Sequence, residues 1–302
     1  MTGEGLTARI CGLGFVAPGI SGWAEAAAIL TGESLWQPAP LVIPAAEFLP
    51  VAERRRVGKA VRLALACGHE AVAASGLDAA GIASVFASAD VDAENTHQIC
   101  LALTEAQPSL SPTRFHNSVQ NAVSGYWTIL TGSRLPTTVV MGTDEVLAQG
   151  LLEAMSQAVL EAGPVLLVVF DMAMPEPLYS THPIEGGGAL ALVLDARPGH
   201  GSGEGRGEGP TISVELIRRP AAGASAMPLP LDSAAPSESI DPGLPADLQR
   251  VHPIGCALPM LAQLARLARP VPPAGISVGA AEQSPMHLHL DGYHSLLITL
   301  EP

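Results

Sequence analysis

Residues 114–150, RFHNSVQNAVSGYWTILTGSRLPTTVVMGTDEVLAQG, decide the fold. Phe115, Val119, Ala122 and Tyr126 recur at helical spacing, with a polar stripe of Asn117, Gln120, Asn121, Ser124 and Thr128 beside them. One helix is therefore predicted over 114–130. A polar stripe in so apolar a sequence implies burial against hydrogen-bonding groups, because an unpaired polar group is costly to bury. After Pro136 the β-branched run TTVVM is a strand, and Gly142 with Thr143 turns the chain into a second helix over 146–160. Thr143 is the expected N-cap of that helix. Asp144 and Glu145 then fall in its first turn, where the helix dipole favours anions.

Working toward the N-terminus, residues 8–20, ARICGLGFVAPGI, form an apolar strand, and 23–30 an alanine-rich helix. The GLG within it lacks the third glycine and the acidic residue of a dinucleotide fingerprint, so it marks a tight strand-to-helix turn. Residues 53–76 place Val57, Val61, Leu65 and Val72 on one face and Arg54, Arg55, Arg56, Lys59 and Arg62 on others, the pattern of an amphipathic helix with a solvated or partner-facing basic flank. A strand over 82–87, a helix over 96–105 and a turn at 108–112 follow. Beyond the central segment, 164–170 and 188–195 are apolar strands, and the glycines of Glu185-Gly186-Gly187-Gly188 permit close backbone packing. This alternation predicts a layered α/β domain with a mainly parallel sheet.

The segment 196–210, ARPGHGSGEGRGEGP, has the composition of a flexible linker. The chain divides there into an N-terminal domain over 1–195, the linker over 196–210 and a shorter part over 211–302. That last part offers a strand at 211–217, a loop-like stretch at 220–245, a helix at 254–267 and strands at 287–290 and 296–300.

The 302 residues are 48% hydrophobic, enough to fill a core. No apolar run approaches the roughly 20 residues that cross a bilayer, and no basic-then-apolar leader opens the chain, so a cytoplasmic protein without membrane contact is expected. Cys11, Cys67, Cys100 and Cys256 lack ligand or disulfide spacing. A net charge of −14, with Lys59 the one lysine among fifteen basic residues, excludes a nucleic-acid surface. It also disfavours direct docking of an acidic carrier protein. His287 and His289 share a strand face with His294 close by, but no third ligand of defined geometry accompanies them, and neither metal nor cofactor is expected.

Four stretches, in order, resemble the β-ketoacyl synthases of the thiolase fold over roughly residues 8–217. LPVAERRRVGKAVRLALACGHEAVAASGLD resembles the family's early helix and "GL" turn, and SPTRFHNSVQNAVSGYW its interface helix. LPTTVVMGTDEVLAQGLLEA resembles the strand, nucleophile turn and following helix, and EGGGALALVLD the glycine-led strand that closes the first half. Within the family the chain looks most like the short chain-length factors that accompany polyene and aryl-polyene ketosynthases. The resemblance implies a thiolase-like α-β-α fold with an abbreviated C-terminal half.

It also implies a lost nucleophile. The family's cysteine position falls at Asp144, flanked by Gly142 and Thr143, and no cysteine lies between Cys100 and Cys256. A thiolate there would be activated by the helix dipole, whereas a carboxylate is only stabilised as an anion. Acyl transfer to it would give an anhydride, higher in energy than the thioester. The HGTGT motif of the second half is absent. His200-Gly201-Ser202-Gly203 comes too early in the chain to replace it, and His252 in VHPIGCALPM reads as a helix-end histidine.

The implied function is a non-catalytic chain-length subunit paired with an active ketosynthase, for polyketide, polyene or fatty-acid-type chains, with no condensing activity of its own. Acyl carrier protein would be engaged indirectly, through the partner. Phe115, His116, Val119, Gln120 and Val123 are the candidate residues bordering the partner's acyl tunnel, and His116 could equally be a satisfied interface residue. Two alternatives stand: a malonyl-thioester decarboxylase that generates starter units, which needs a histidine pair not evident in the sequence, and a purely structural partner of a ketosynthase.

Overall fold

The apolar run Pro164–Asp171 forms the central strand β4 of the computed structural model. It is buried on both faces, as a strand covered by helices on either side must be. The structure describes residues 5–197, 209–218, 245–268, 285–291 and 293–302. The interior of the glycine-rich segment with His200, and nearly all of the stretch 220–245, lie outside the described residues.

Among the described residues, eight strands make one sheet. They are β1 (Leu6–Val16), β2 (Ala83–Ser88), β3 (Thr137–Met141), β4, β5 (Gly188–Asp195), β6 (Thr211–Arg218), β7 (Met286–His289) and β8 (His294–Glu301), in the order β3-β2-β4-β5-β1-β6-β8-β7. The expected mainly parallel sheet is corrected here. Only β3–β2 and β2–β4 pair in parallel, and the remaining pairings are antiparallel. A bulge between Ile10 and Gly12 lets β1 pair with β6 through its first residues and with β5 through its last. Strands from both sides of the segment 196–210 thus share the sheet.

Helices cover both faces. On one lie α2 (Lys59–Ser75) and α5 (Ala122–Thr131), packed with Phe86, Val168 and Phe170. On the other lie α1 (Trp23–Leu30), α6 (Val146–Leu160) and α7 (Leu258–Leu267), packed with Leu167, Val169 and, from β8, Leu296, Ile298 and Leu300. This is the layered α-β-α arrangement with a short second half. No helix among the described residues is long and apolar enough to cross a membrane.

The GLG lies inside β1 rather than at a turn. A Cβ on Gly12 or Gly14 would collide with the carbonyls of Ala71 and Cys67 on α2, so these glycines let the helix rest directly on the strand. The helix itself is shorter than predicted. It starts at Lys59, because Arg54 donates from Nε to the Leu49 carbonyl at 2.8 Å and from Nη2 to the Glu47 carbonyl at 2.6 Å, folding 51–56 into turns.

The helix predicted over 114–130 is two helices, α4 (Pro112–Asn117) and α5. The break follows from Asn117, which is buried and donates from Nδ2 to the Arg56 carbonyl at 2.6 Å while its Oδ1 accepts from the Tyr126 hydroxyl at 3.2 Å. Between β2 and α4, α3 (Ala93–Leu103) begins three residues earlier than expected, with Asp92 as N-cap accepting from Asn95 N–H at 3.0 Å.

Besides the β1–β6 pairing and the packing of α7 and β8 into the shared core, the second half meets the first through a polar and an apolar contact near the end of β4. Asp171, at the end of β4, is fully buried, and its Oδ2 lies 3.0 Å from His252 Nδ1. A Cβ on Gly188 would collide with Ile254, so the glycine run before β5 gives residues 251–254 their seat.

Gly14→Ala will lower the urea-unfolding free energy by about 1–3 kcal/mol, through overpacking against the α2 backbone. Gly81→Ala, with open space around it, will leave that free energy within about 0.5 kcal/mol. His252→Ala will cost about 3 kcal/mol or more in the same measurement, because it strands a buried carboxylate.

Candidate functional site

The parallel strands β3, β2 and β4 end side by side, and the loops that leave them form the site. From β3, Gly142 N–H donates to the Ser88 carbonyl at 3.2 Å, which fixes the turn against the end of β2. The turn then enters α6 at Val146, whose N–H reaches the Thr143 carbonyl at 3.2 Å. Glu145, not Thr143, occupies the N-cap position. The Thr143 hydroxyl instead donates to Glu145 Oε2 at 2.9 Å, which corrects the expected cap.

Asp144 projects from this turn with about half of its side chain exposed, and its Oδ1 is 3.4 Å from His182 Nε2. Behind it stands Asp171. Its Oδ1 accepts from Ser88 Oγ at 2.7 Å, Ala89 N–H at 2.9 Å and Asp90 N–H at 3.2 Å, and its Oδ2 faces His252. The rings of His182 and His252 meet edge to face with centroids 6.3 Å apart. Burial holds the Asp90 carboxyl above the usual range, and the Asp171 charge adds to the effect.

Asp144, His182, His252 and Asp171 therefore form a line of ionisable groups from surface to core. Sequence reading missed it. The histidine pair absent from the expected motif exists, but it joins the loop after β4 to the second half. One signal was available in Asp171, a charged residue closing an otherwise apolar strand at its C-terminal end.

Cys256 lies close enough for Asp144 to act on it and presents an exposed surface. Its sulfur nevertheless sits among packed atoms and donates to the Pro253 carbonyl at 3.2 Å. That desolvation, with the Asp144 charge adding to it, pushes the thiol up to about 12. At neutral pH it is not a thiolate, so it does not replace a nucleophile at the turn. An open groove of about 460 Å³, lined in part by Trp36, Pro38, Glu185, Arg250 and Val251, lies along the neighbouring loops and includes none of Asp144, His182 or His252.

The five tunnel candidates divide. Phe115, Val119, Gln120 and His116 are exposed, with the His116 ring set edge-on to Tyr126 at 5.9 Å. Val123 points into the core beside α2 and is removed from that group. The polar stripe divides too. Asn117 and Ser124 are buried and bonded within the chain, while Gln120 and Asn121 are exposed.

The exposed apolar side chains Phe115, Val119, Ile129 and Leu135 lie on the segments around β3, an edge strand hydrogen-bonded on one side only. At the opposite end of the sheet, His287 and His289 are exposed, His289 Nδ1 lies 3.2 Å from Ser295 Oγ, and His294 pairs with Asp291 at 2.9 Å. No group of three such side chains among the described residues could hold a metal ion.

A chain of the ketosynthase–chain length factor complex (ApeO with ApeC) of Xenorhabdus doucetiae superposes with a TM-score of 0.62. The match covers 97% of this chain and 99% of that one at 23% identity. The ishigamide ketosynthase/chain length factor matches at a TM-score of 0.55 and 16% identity, over 70% and 67% of the two chains. The AntDE:AntF complex, a type II ketosynthase with its acyl-carrier protein, matches at 0.58 and 14% identity, over 71% and 69%. At these identities the likeness is one of fold, the thiolase-like fold of ketosynthases. No curated protein sequence matches the chain. The family described as "Beta-ketoacyl synthase, N-terminal domain" matches residues 23–209, from the first residue of α1 to the approach to β6. That span is more than half of the sequence, and the chain belongs to the β-ketoacyl synthase family.

Proposed function

We propose that the chain is the non-catalytic, chain-length-setting subunit of a heterodimer with an active ketosynthase, acting on polyketide- or polyene-type acyl chains. The observation that carries this reading is the run from α4 through α5 to β3, on which Phe115, Val119, Ile129 and Leu135 are exposed and which ends in a strand at the edge of the described sheet. An edge strand invites pairing, and large exposed apolar side chains beside one mark an interaction surface. Two of the similar folds belong to complexes named for a ketosynthase and a chain length factor, which supports a partner of that kind.

Asp144 then stands where a ketosynthase would hold its cysteine. Its carboxylate cannot carry an acyl group without forming an anhydride, and Cys256 is held as a thiol. The partner supplies the nucleophile, the catalytic histidines and the docking site for acyl carrier protein. This subunit supplies Phe115, His116, Val119 and Gln120 at the border of the partner's acyl tunnel, where side-chain bulk sets the length that fits, since packed walls yield only at a cost.

Malonyl-thioester decarboxylation gains a histidine pair from the structure, His182 and His252. It loses on charge. Asp90, Asp144 and Asp171 surround that pair, so a malonyl carboxylate would enter against three acidic groups.

Co-expression with the ketosynthase partner and product profiling tests the main reading. Phe115→Ala is expected to shift products to longer chains and Val119→Phe to shorter ones. An unchanged distribution with both variants would count against it. Purified chain incubated alone with malonyl-carrier protein is expected to yield neither acetyl product nor a covalent acyl adduct by intact-mass spectrometry. Acetyl product would favour the decarboxylase instead.

A further inference from the structure

The face around β3 has a second property. From residue 106 to residue 143, through α4, α5 and β3, there is no aspartate or glutamate, although 29 of the 302 residues are acidic and the net charge is −14. Arg114, His116 and Arg134 lie on this stretch, and all three are exposed. The neighbouring Arg56, whose carbonyl is bonded by Asn117 next to α4, is matched by Glu53 at 3.8 Å and adds no net charge to them.

Nearby carboxylates are engaged elsewhere. Asp92, which the Arg114 charge reaches, caps α3. Glu53 pairs with Arg56 at 3.8 Å, and Asp144 with His182.

An interface between two identical chains around a twofold axis sets a patch against its own copy. Here that would bring cationic side chains toward cationic side chains with no carboxylate on the stretch to separate them. Like charges juxtaposed at an interface suppress the wrong pairing.

We infer that this face selects its partner by charge: it fits a ketosynthase-type chain presenting carboxylates opposite Arg114 and Arg134, and it rejects a second copy of itself. The inference rests on reading the face as the ketosynthase-binding surface. The apolar side chains provide the adhesion common to any partner, and the two arginines discriminate against self-pairing.

The test has two arms, each on the full chain. In the first, sedimentation is measured for the wild-type chain, for the Arg114→Glu/Arg134→Glu variant and for their equimolar mixture, at about 50 mM and about 500 mM NaCl, on either side of strong screening. Each protein alone is expected to be monomeric, and the mixture to form a dimer at low salt that dissociates at high salt. A wild-type dimer at low salt, or a mixture that stays monomeric, overturns the inference.

The second arm uses the ketosynthase that co-purifies with the tagged wild-type chain. The charge-reversed variant is expected to bind it at least tenfold more weakly, and Arg114→Gln/Arg134→Gln to lose less. Equal affinity for all three would overturn the charge selection and leave the partnership intact. Failure of the wild-type chain to retain any ketosynthase would instead remove the reading of the face as a ketosynthase surface, and the first arm would still decide the self-rejection.

Discussion

A fully buried carboxylate, Asp171, is the constraint around which the end of the sheet where β2, β3 and β4 leave is arranged. A charge without solvent needs donors and a countercharge close by. Ser88, Ala89 and Asp90 supply the donors, so the exit of β2 must fold across the end of β4. His252 Nδ1 lies 3.0 Å from the other carboxylate oxygen of Asp171, so the short second half must lie against the same point. Removing the imidazole would leave the carboxylate unmatched, whereas removing both would leave a cavity at the junction. The abbreviated half is therefore anchored by electrostatics as well as by Ile254 in its glycine seat.

This arrangement also accounts for what has become of the site at the strand ends. In an α/β sheet the loops that leave parallel strands are where chemistry is placed. Here those loops carry Asp90, Asp144, Asp171 and the two histidines, paired mostly with one another rather than aimed into a cavity. The groove of about 460 Å³ lies to the side and includes none of the line from Asp144 to Asp171. The polar groups in that line serve cohesion between loops, and the surface left free to act is the apolar face around β3.

The sequence was most legible where a local pattern decides the outcome. Apolar runs bounded by Gly, Pro or charge placed β4 and β5, and periodicity placed α1 and α6, because the burial of each element is written in its own residues. Strand direction was not legible. Whether β5 runs with or against β4 depends on how the loop 172–187 returns, and nothing in the run GALALVLD encodes it. The break between α4 and α5 was hidden for a similar reason, since Asn117 ends the helix by bonding to Arg56 far upstream in the chain. Val123, chosen by its position on one continuous helix, lies on the separate helix α5 and enters the core. The line Asp144, His182, His252 and Asp171 joins residues that only the folded sheet brings together.

The location of function follows from what each exposed group can still do. Thioester exchange requires a nucleophile ionised enough to attack and an acyl product comparable in energy to the starting thioester; the Asp144 carboxylate fails the second requirement, and desolvation works against the first at Cys256. The arginine-flanked apolar face meets a different one. It combines area to bury, an unpaired strand edge to extend and a charge sign opposite to that of the rest of the chain, three properties that act only when a second protein arrives. Under the function proposed above, a subunit built this way would influence chemistry by shaping another chain's cavity, with the size of Phe115 and Val119 and the charge of Arg114 and Arg134 as its determinants.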